Sequence, residues 1–337
     1  QRIVVVCGPG SNGGDGYVVA RHAHRAGRPV EVVHLREHVP ANPVAQRACT
    51  EYVAAGGRVT LLDGALPAAD LVVDALFGIG FSRAPEAGSH ALIDAINAQA
   101  MPVFSLDVPS GVDADRGGVP GVAVVATRTL QFIARHAGLH TGEALEYTGV
   151  LSLDDLDVPG DAFDGVSSHA SLLDQDALAR WLLPRRRNTH KGESGHVLCI
   201  GGEEGSGGAV ALCADAALRA GAGLVSVATR PLHVSGILAP PPAPMVRGVG
   251  WSEDLAPMLA RAGVIAIGPG LGQGDWARVL LQHAWRSGRP LVVDADALNL
   301  LASTPQALHD AVLTPHPGEA GRLLDCTTAE IQSDRFN

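Results

Sequence analysis

Apolar runs of strand length recur along the chain, separated by segments in which Ala, Val, Leu and Ile fall at helical spacing. In the first half the runs lie at 3–7, 29–34, 58–62, 70–76 and 102–106, and the helical segments at 14–26, 43–56 and 89–99. That alternation predicts a doubly wound parallel sheet with its ligands at the carboxyl ends of the strands. Over 151–170 the pattern gives way to an acidic, turn-rich stretch beginning LSLDDLDVPGDAFDG, which reads as a linker. A second alternating series then runs through HVLCIGG (196–202), GGAVALCADAALRAGAG, LVSVAT, VIAIGPG, PLVVDADAL and AVLTPHPG. It predicts a second α/β unit with glycine loops of its own. No period of 20–50 residues repeats, which excludes a solenoid.

Length agrees with two domains, since 337 residues is long for one core. A net charge of -10 argues against a nucleic-acid partner. An anionic ligand must then be held by local backbone amides and a few basic side chains. The five cysteines are scattered without a C-x-x-C pair, and Cys7 and Cys199 sit in apolar runs as buried structural thiols. A reducing cytoplasm is the expected compartment, and no stretch reaches the eighteen apolar residues of a membrane span. The chain starts without methionine and almost inside a strand, so we expect a fragment at that end, with a removed targeting segment left open. A homo-oligomer acting on a small molecule is expected.

The candidate chemistry sits where the first-half strands stop. GPGSNGGDG (8–16) contains G-x-G-x-x-G over Gly8–Gly13, a weak dinucleotide signal, but continues into Gly14-Asp15-Gly16, which that fingerprint lacks. The next two strand ends are Val72-Val73-Asp74-Ala75-Leu76-Phe77-Gly78-Ile79-Gly80 and Ser105-Leu106-Asp107-Val108-Pro109-Ser110-Gly111. Parallel strands gather such ends on one rim, where Asn12, Asp74 and Ser110 offer hard oxygen donors to a cation. Asp107, before the rigid Pro109, is a candidate acid/base. Each aspartate alone also suits a helix cap or a turn.

Taken in order, GPGSNGGDGYVVARHA, VDALFGIGFSR and LDVPSGVDADRG resemble the NAD(P)H-hydrate epimerase domain over residues 1–160. The resemblance implies a Rossmann-like fold in which Ser11, Asn12, Gly13, Gly14 and Asp15 hold the hydrated dinucleotide. Gly78, Ile79, Gly80, Phe81, Ser82, Arg83 and Ala84 would do the same. It further implies that Asn12, Asp74 and Ser110 bind K+ and that Asp107 is catalytic and touches the substrate. Ser11 departs from the family, which commonly has a second asparagine there.

After a linker at 161–174, the segment 175–337 carries Asn188-Thr189-His190-Lys191-Gly192, then IGPGLGQG (267–274), VVDADALN (292–299) and LTPHPGEA (313–320). Glycines 268, 270 and 272 would let backbone amides approach a phosphate, with Lys191 adding a charge, and His316 is held between prolines. This set resembles the ADP-dependent NAD(P)H-hydrate dehydratase domain, of ribokinase-like fold. The resemblance implies that Ala209, Gly272 and His316 contact the hydrate, with ADP and Mg2+ as further requirements. The sequence shows neither the lysine-containing glycine loop nor the Gly-Thr-Gly-Asp motif that follow in that family. We therefore expect the native protein to continue, and the apolar faces of Val264–Ile267 and Leu291–Val293 to be poorly covered. The combined expectation is nicotinamide nucleotide repair, with a non-catalytic dinucleotide-binding module and an NAD-dependent oxidoreductase as rivals.

Overall fold

The computed structural model describes residues 1–168, 170–239 and 244–336. They form two compact units, one of 1–172 with 332–337, the other of 173–331.

The first unit holds a seven-stranded parallel sheet in the order β3-β2-β1-β4-β5-β6-β7. Its strands are β1 (Ile3–Cys7), β2 (Val30–His34), β3 (Arg58–Leu61), β4 (Leu71–Ala75), β5 (Val103–Leu106), β6 (Arg128–Phe132) and β7 (Val150–Asp154). Helices α1 (Ser11–Arg25), α2 (Pro43–Ala54) and α3 (Ala87–Asn97) connect them. Val4 and Val6 of β1 pack in one core cluster with Leu92, Ile93 and Ile96 of α3, while Val5 and Cys7 pack in another with Tyr17 of α1 and Tyr52 of α2. A strand covered on both faces has no polar side to spare, hence the unbroken apolar runs. The chain reverses direction between β1 and β4, and a doubly wound sheet opens its ligand crevice beyond such a pair.

In this unit two strands escaped the hydrophobic pattern. RTLQF becomes β6 and VLSLD becomes β7, so the first residues of the stretch read as a linker are an edge strand, paired in parallel with β6. Edge position explains the miss: Val150 and Leu153 remain exposed, so apolar content is not demanded there.

The second unit carries a six-stranded parallel sheet in the order β10-β9-β8-β11-β12-β13. Its strands are β8 (His196–Ile200), β9 (Leu224–Thr229), β10 (Met245–Gly248), β11 (Val264–Ile267), β12 (Leu291–Val293) and β13 (Ala311–Leu313). The helices of this half are α4 (Gln175–Leu178), α5 (Gly207–Arg219), α6 (Val234–Leu238), α7 (Ser252–Arg261), α8 (Asp275–Arg286), α9 (Ala295–Ser303), α10 (Pro317–Leu324) and α11 (Thr328–Ser333). The expectation of poorly covered strands is corrected for one face. Ile265, Ile267, Leu291 and Val293 are buried in a cluster with residues of α7, α8 and α9, while Val264, Ala266 and Val292 on the other face are half-buried. Among the described residues no helix is long and apolar enough to cross a membrane.

Candidate active site

The glycine loop is built for close approach. A Cβ on Gly13 would lie 1.9 Å from the Gly8 carbonyl oxygen, and one on Gly16 would lie 2.6 Å from Ala75 Cβ and 2.7 Å from Cys7 Sγ. Only glycine lets α1 begin at Ser11, directly off β1, with Asn12 and Asp15 in its first turns.

Three strand ends meet here. Asp74, the fourth residue of β4, is completely buried. Its Oδ1 accepts from Ser110 Oγ at 2.6 Å and Leu76 N at 3.2 Å, and its Oδ2 accepts from Ser105 Oγ at 2.8 Å and Ser110 N at 2.9 Å. Burial pushes this carboxyl up, and the donors of Ser110, Ser105 and Leu76 pull it back. Ser110 Oγ also accepts from Phe77 N at 2.9 Å, while Asn12 Nδ2 donates to Phe77 O at 2.9 Å. Asn12, Asp74 and Ser110 are thus brought together around the backbone of Phe77. Asn12 Oδ1 is buried with no hydrogen-bond partner among the described residues. A buried amide oxygen without a partner is a hard donor left unused by the fold.

Above this cluster opens a cavity of about 730 Å³. It is lined by Ser11, Asn12, Asp15, Gly78–Ala84 and Asp107, with Glu37, His38 and Ser89 on a further wall. Gly13 and Gly14 lie beneath it as buried helix residues. Asp15 reaches solvent at the mouth, and partial burial with the nearby Asp107 charge pushes its carboxyl up to about 6. The rings of Phe77 and Phe81 stack at 4.4 Å, and His38 meets Phe77 edge-on at 5.8 Å.

The motifs did not single out two histidines. His136 Nε2 lies 2.8 Å from Asp107 Oδ1, although it is 29 residues away in sequence. His38 Nε2 lies 3.0 Å from Ser89 Oγ, its Nδ1 is buried without a partner among the described residues, and burial holds its pKa below the ordinary histidine value.

The second unit repeats the topology with less convergence. Gly268, Gly270 and Gly272 follow β11, all at positive φ. A Cβ on Gly268 would lie 1.7 Å from Asp294 O, and one on Gly270 would lie 3.2 Å from Ala209 Cβ, so Ala209 and this loop are neighbours. The loop's amides are largely committed: Gly268 N donates to Ile200 O at 3.2 Å and Gly272 N to Asp296 Oδ2 at 2.8 Å. Two of the three glycine amides read as a phosphate nest, those of Gly268 and Gly272, are therefore already engaged. Lys191 requires a second correction. It precedes β8, and Ser194 O accepts from Gly223 N just before β9, which places the segment at the amino ends of the strands. A five-residue strand of about 17 Å separates it from the glycine loop.

His316 follows β13, two strands from β11, and caps α10. Its Nδ1 accepts from Gly318 N at 3.0 Å while Glu319 Oε2 accepts from His316 N at 2.9 Å. Among the described residues it makes no hydrogen bond to Ala209 or Gly272. Sequence reading passed over the pair at the end of β9, where Arg230 Nε and Nη2 donate to Glu203 Oε1 and Oε2 at 2.6 and 3.0 Å. The Arg230 guanidinium also stands 4.4 Å over the Trp276 ring. A cavity of about 860 Å³ beside α5 and α6 is lined by Gly207, Gly208, Asp215, Arg219 and His233, and not by Ala209, Gly272 or His316.

Comparison with known proteins matches both halves. Residues 1–138 fit the family model for the YjeF-related protein N-terminus, and residues 197–337 fit that for NAD(P)H-hydrate dehydratase. The chain is 44% identical over 337 residues to a bifunctional NAD(P)H-hydrate repair enzyme of Coxiella burnetii, covering 100% of this chain and 69% of that protein. It is 42% identical to the Escherichia coli bifunctional NAD(P)H-hydrate repair enzyme, covering 99% of this chain and 65% of that one. The chain thus spans about two thirds of the length of these relatives. Among solved structures, the ADP/ATP-dependent NAD(P)H-hydrate dehydratase of Bacillus subtilis is similar at 28% identity and a TM-score of 0.41, covering 48% of this chain and 58% of that one. The chain belongs to the family of bifunctional NAD(P)H-hydrate repair enzymes.

Proposed function

We propose that the first unit interconverts the two C6 epimers of hydrated NADH and NADPH, with Asp107 as the acid/base. The observation that carries this reading is the convergence of three strand ends beneath one cavity, with Asp107 on its wall. The Ser11–Asp15 turn and the Gly78–Ala84 segment hold the dinucleotide. Asn12, Asp74 and Ser110 would hold K+, which would supply fixed positive charge near the substrate's phosphates; the buried Asn12 Oδ1, unpartnered among the described residues, is the donor that fits that ion. An amide oxygen, a carboxylate and a hydroxyl are hard oxygen donors, the kind an alkali cation takes.

The second unit, taken as 175–337 after a linker at 161–174, belongs to the dehydration of the S epimer with ADP and Mg2+. Ala209, Gly272 and His316 are its candidate substrate contacts. The family description and the names of the relatives support the dehydratase reading. The committed amides of Gly268 and Gly272 do not fit a nucleotide phosphate, and we derive no step through ADP. A homo-oligomer in the cytoplasm completes the reading.

The test is to incubate one purified epimer with the chain and separate the two by chiral chromatography. The other epimer should form well above the rate in buffer. A rate equal to that in buffer contradicts the proposal.

A further inference from the structure

Asp107 lies just beyond β5 with φ at 65°, a left-handed conformation that a side-chain-bearing residue keeps only when its surroundings impose it. Its N–H donates to Leu130 O at 2.7 Å. Two groups then converge on a single carboxyl oxygen: Phe132 N donates to Oδ1 at 3.3 Å, and His136 Nε2 stands 2.8 Å from the same atom. His136 is itself fixed, since its N–H donates at 2.8 Å to Oε1 of the buried Gln131. The other oxygen, Oδ2, has no hydrogen bond among the described residues and faces Gly78 on the cavity wall, 3.6 Å from where a Cβ would stand.

With His136 in its Nε2–H tautomer, Oδ1 accepts from two donors, which leaves Oδ2 as the better-placed oxygen for the carboxyl hydrogen. We propose that His136 is a positioning residue for epimerisation: its Nε2–H occupies Oδ1, so the transferable proton resides on Oδ2, the oxygen facing the substrate. This role rests on the epimerase reading above. In the step it serves, Oδ2–H protonates the C6 hydroxyl of the hydrate. The C6–O bond breaks as the lone pair of ring nitrogen N1 forms a C6–N1 double bond, and water departs. Water then adds to the opposite face, the N1 lone pair is restored, the added water's surplus proton passes to solvent, and solvent returns a proton to Oδ2. Atoms and charge balance, with no oxidant or reductant.

The test uses the full chain and its His136→Ala and His136→Gln variants. Steady-state epimerisation of the NADH hydrate is measured beside calorimetric binding of the same compound and thermal melting. Glutamine keeps an N–H that can reach Oδ1, whereas alanine removes the donor. We expect His136→Ala to lower kcat by about 10- to 100-fold, the scale of a misoriented reacting group, with hydrate affinity unchanged, and His136→Gln to recover most of that loss. A wild-type kcat in the alanine variant overturns the role, as does an equal loss in both variants. Loss of binding and melting temperature in step with kcat also overturns it, because that marks a merely structural histidine. An inert wild-type chain would instead overturn the epimerase reading itself, so the two failures are distinguishable.

Discussion

The two units share one strand order over six strands and differ in which polar atoms their strand ends leave unpartnered among the described residues. On the rim of the first sheet, groups from the β1, β4 and β5 ends bond across strands, joining Asp74 to Ser105 and Ser110, and Asn12 to Phe77. On the rim of the second, Gly272 N and Asp296, and Arg230 and Glu203, also bond across strand ends, while His316 and Glu319 close a local helix cap. Topology supplies both units with a crevice between the first strand and the strand beside it. A site needs more, namely side chains left without local employment. Asn12 Oδ1, Asp107 Oδ2 and His38 Nδ1 meet that condition in the first unit.

The contrast can be broken at four points. The largest effect belongs to Asp107→Ala. Epimerisation should fall by about 10²- to 10⁴-fold while calorimetric binding of the hydrate persists. A variant as fast as wild type would remove Asp107 from the chemistry. Next comes Asp74→Ala, which strands the buried donors of Ser105 and Ser110 and should cost about 1–3 kcal/mol in urea unfolding. The same variant should lose any dependence of melting temperature on potassium, and a retained dependence would relocate the cation.

In the second unit, His316→Ala removes the acceptor for Gly318 N and should cost about 1 kcal/mol, read as faster amide exchange at Gly318. Unchanged exchange would show that the cap contributes nothing. The smallest effect concerns Asp15. Its folded carboxyl titrates near 6, above the ordinary aspartate value, so folding takes up a proton between about 4 and 6. Stability from this group is therefore greatest below that window and declines as pH rises through it. Asp15→Asn should flatten that decline in melting temperature measured from pH 4 to 7, and an unaltered slope would place the titrating group elsewhere.

Much of this was legible in sequence because continuous apolar runs and ordered motifs are local signals. Helix α2, read at 43–56, spans Pro43–Ala54, and the strand read at 70–76 spans Leu71–Ala75. What escaped depends on distance or direction. Nothing in RHAGLH announces that His136 bonds to Asp107, because the pairing arises only when β6 is laid beside β5. Lys191 was assigned to the wrong edge of its sheet for a reason sequence order could have supplied. A residue just before a parallel strand stands on the rim opposite residues just after it. The glycine loop at 268–272 was read as open amides, and only the hydrogen bonds of Gly268 and Gly272 reveal that they are taken.

The most direct measurement is a crystal structure of the Asp107→Ala chain soaked with the hydrated dinucleotide, which the inactive site should hold without turning it over. The account predicts density in the first-unit cavity, with the phosphates against the Ser11–Asp15 turn and the reduced ring against position 107, beside Gly78. A dinucleotide bound elsewhere, or with its ring turned away from position 107, would contradict it.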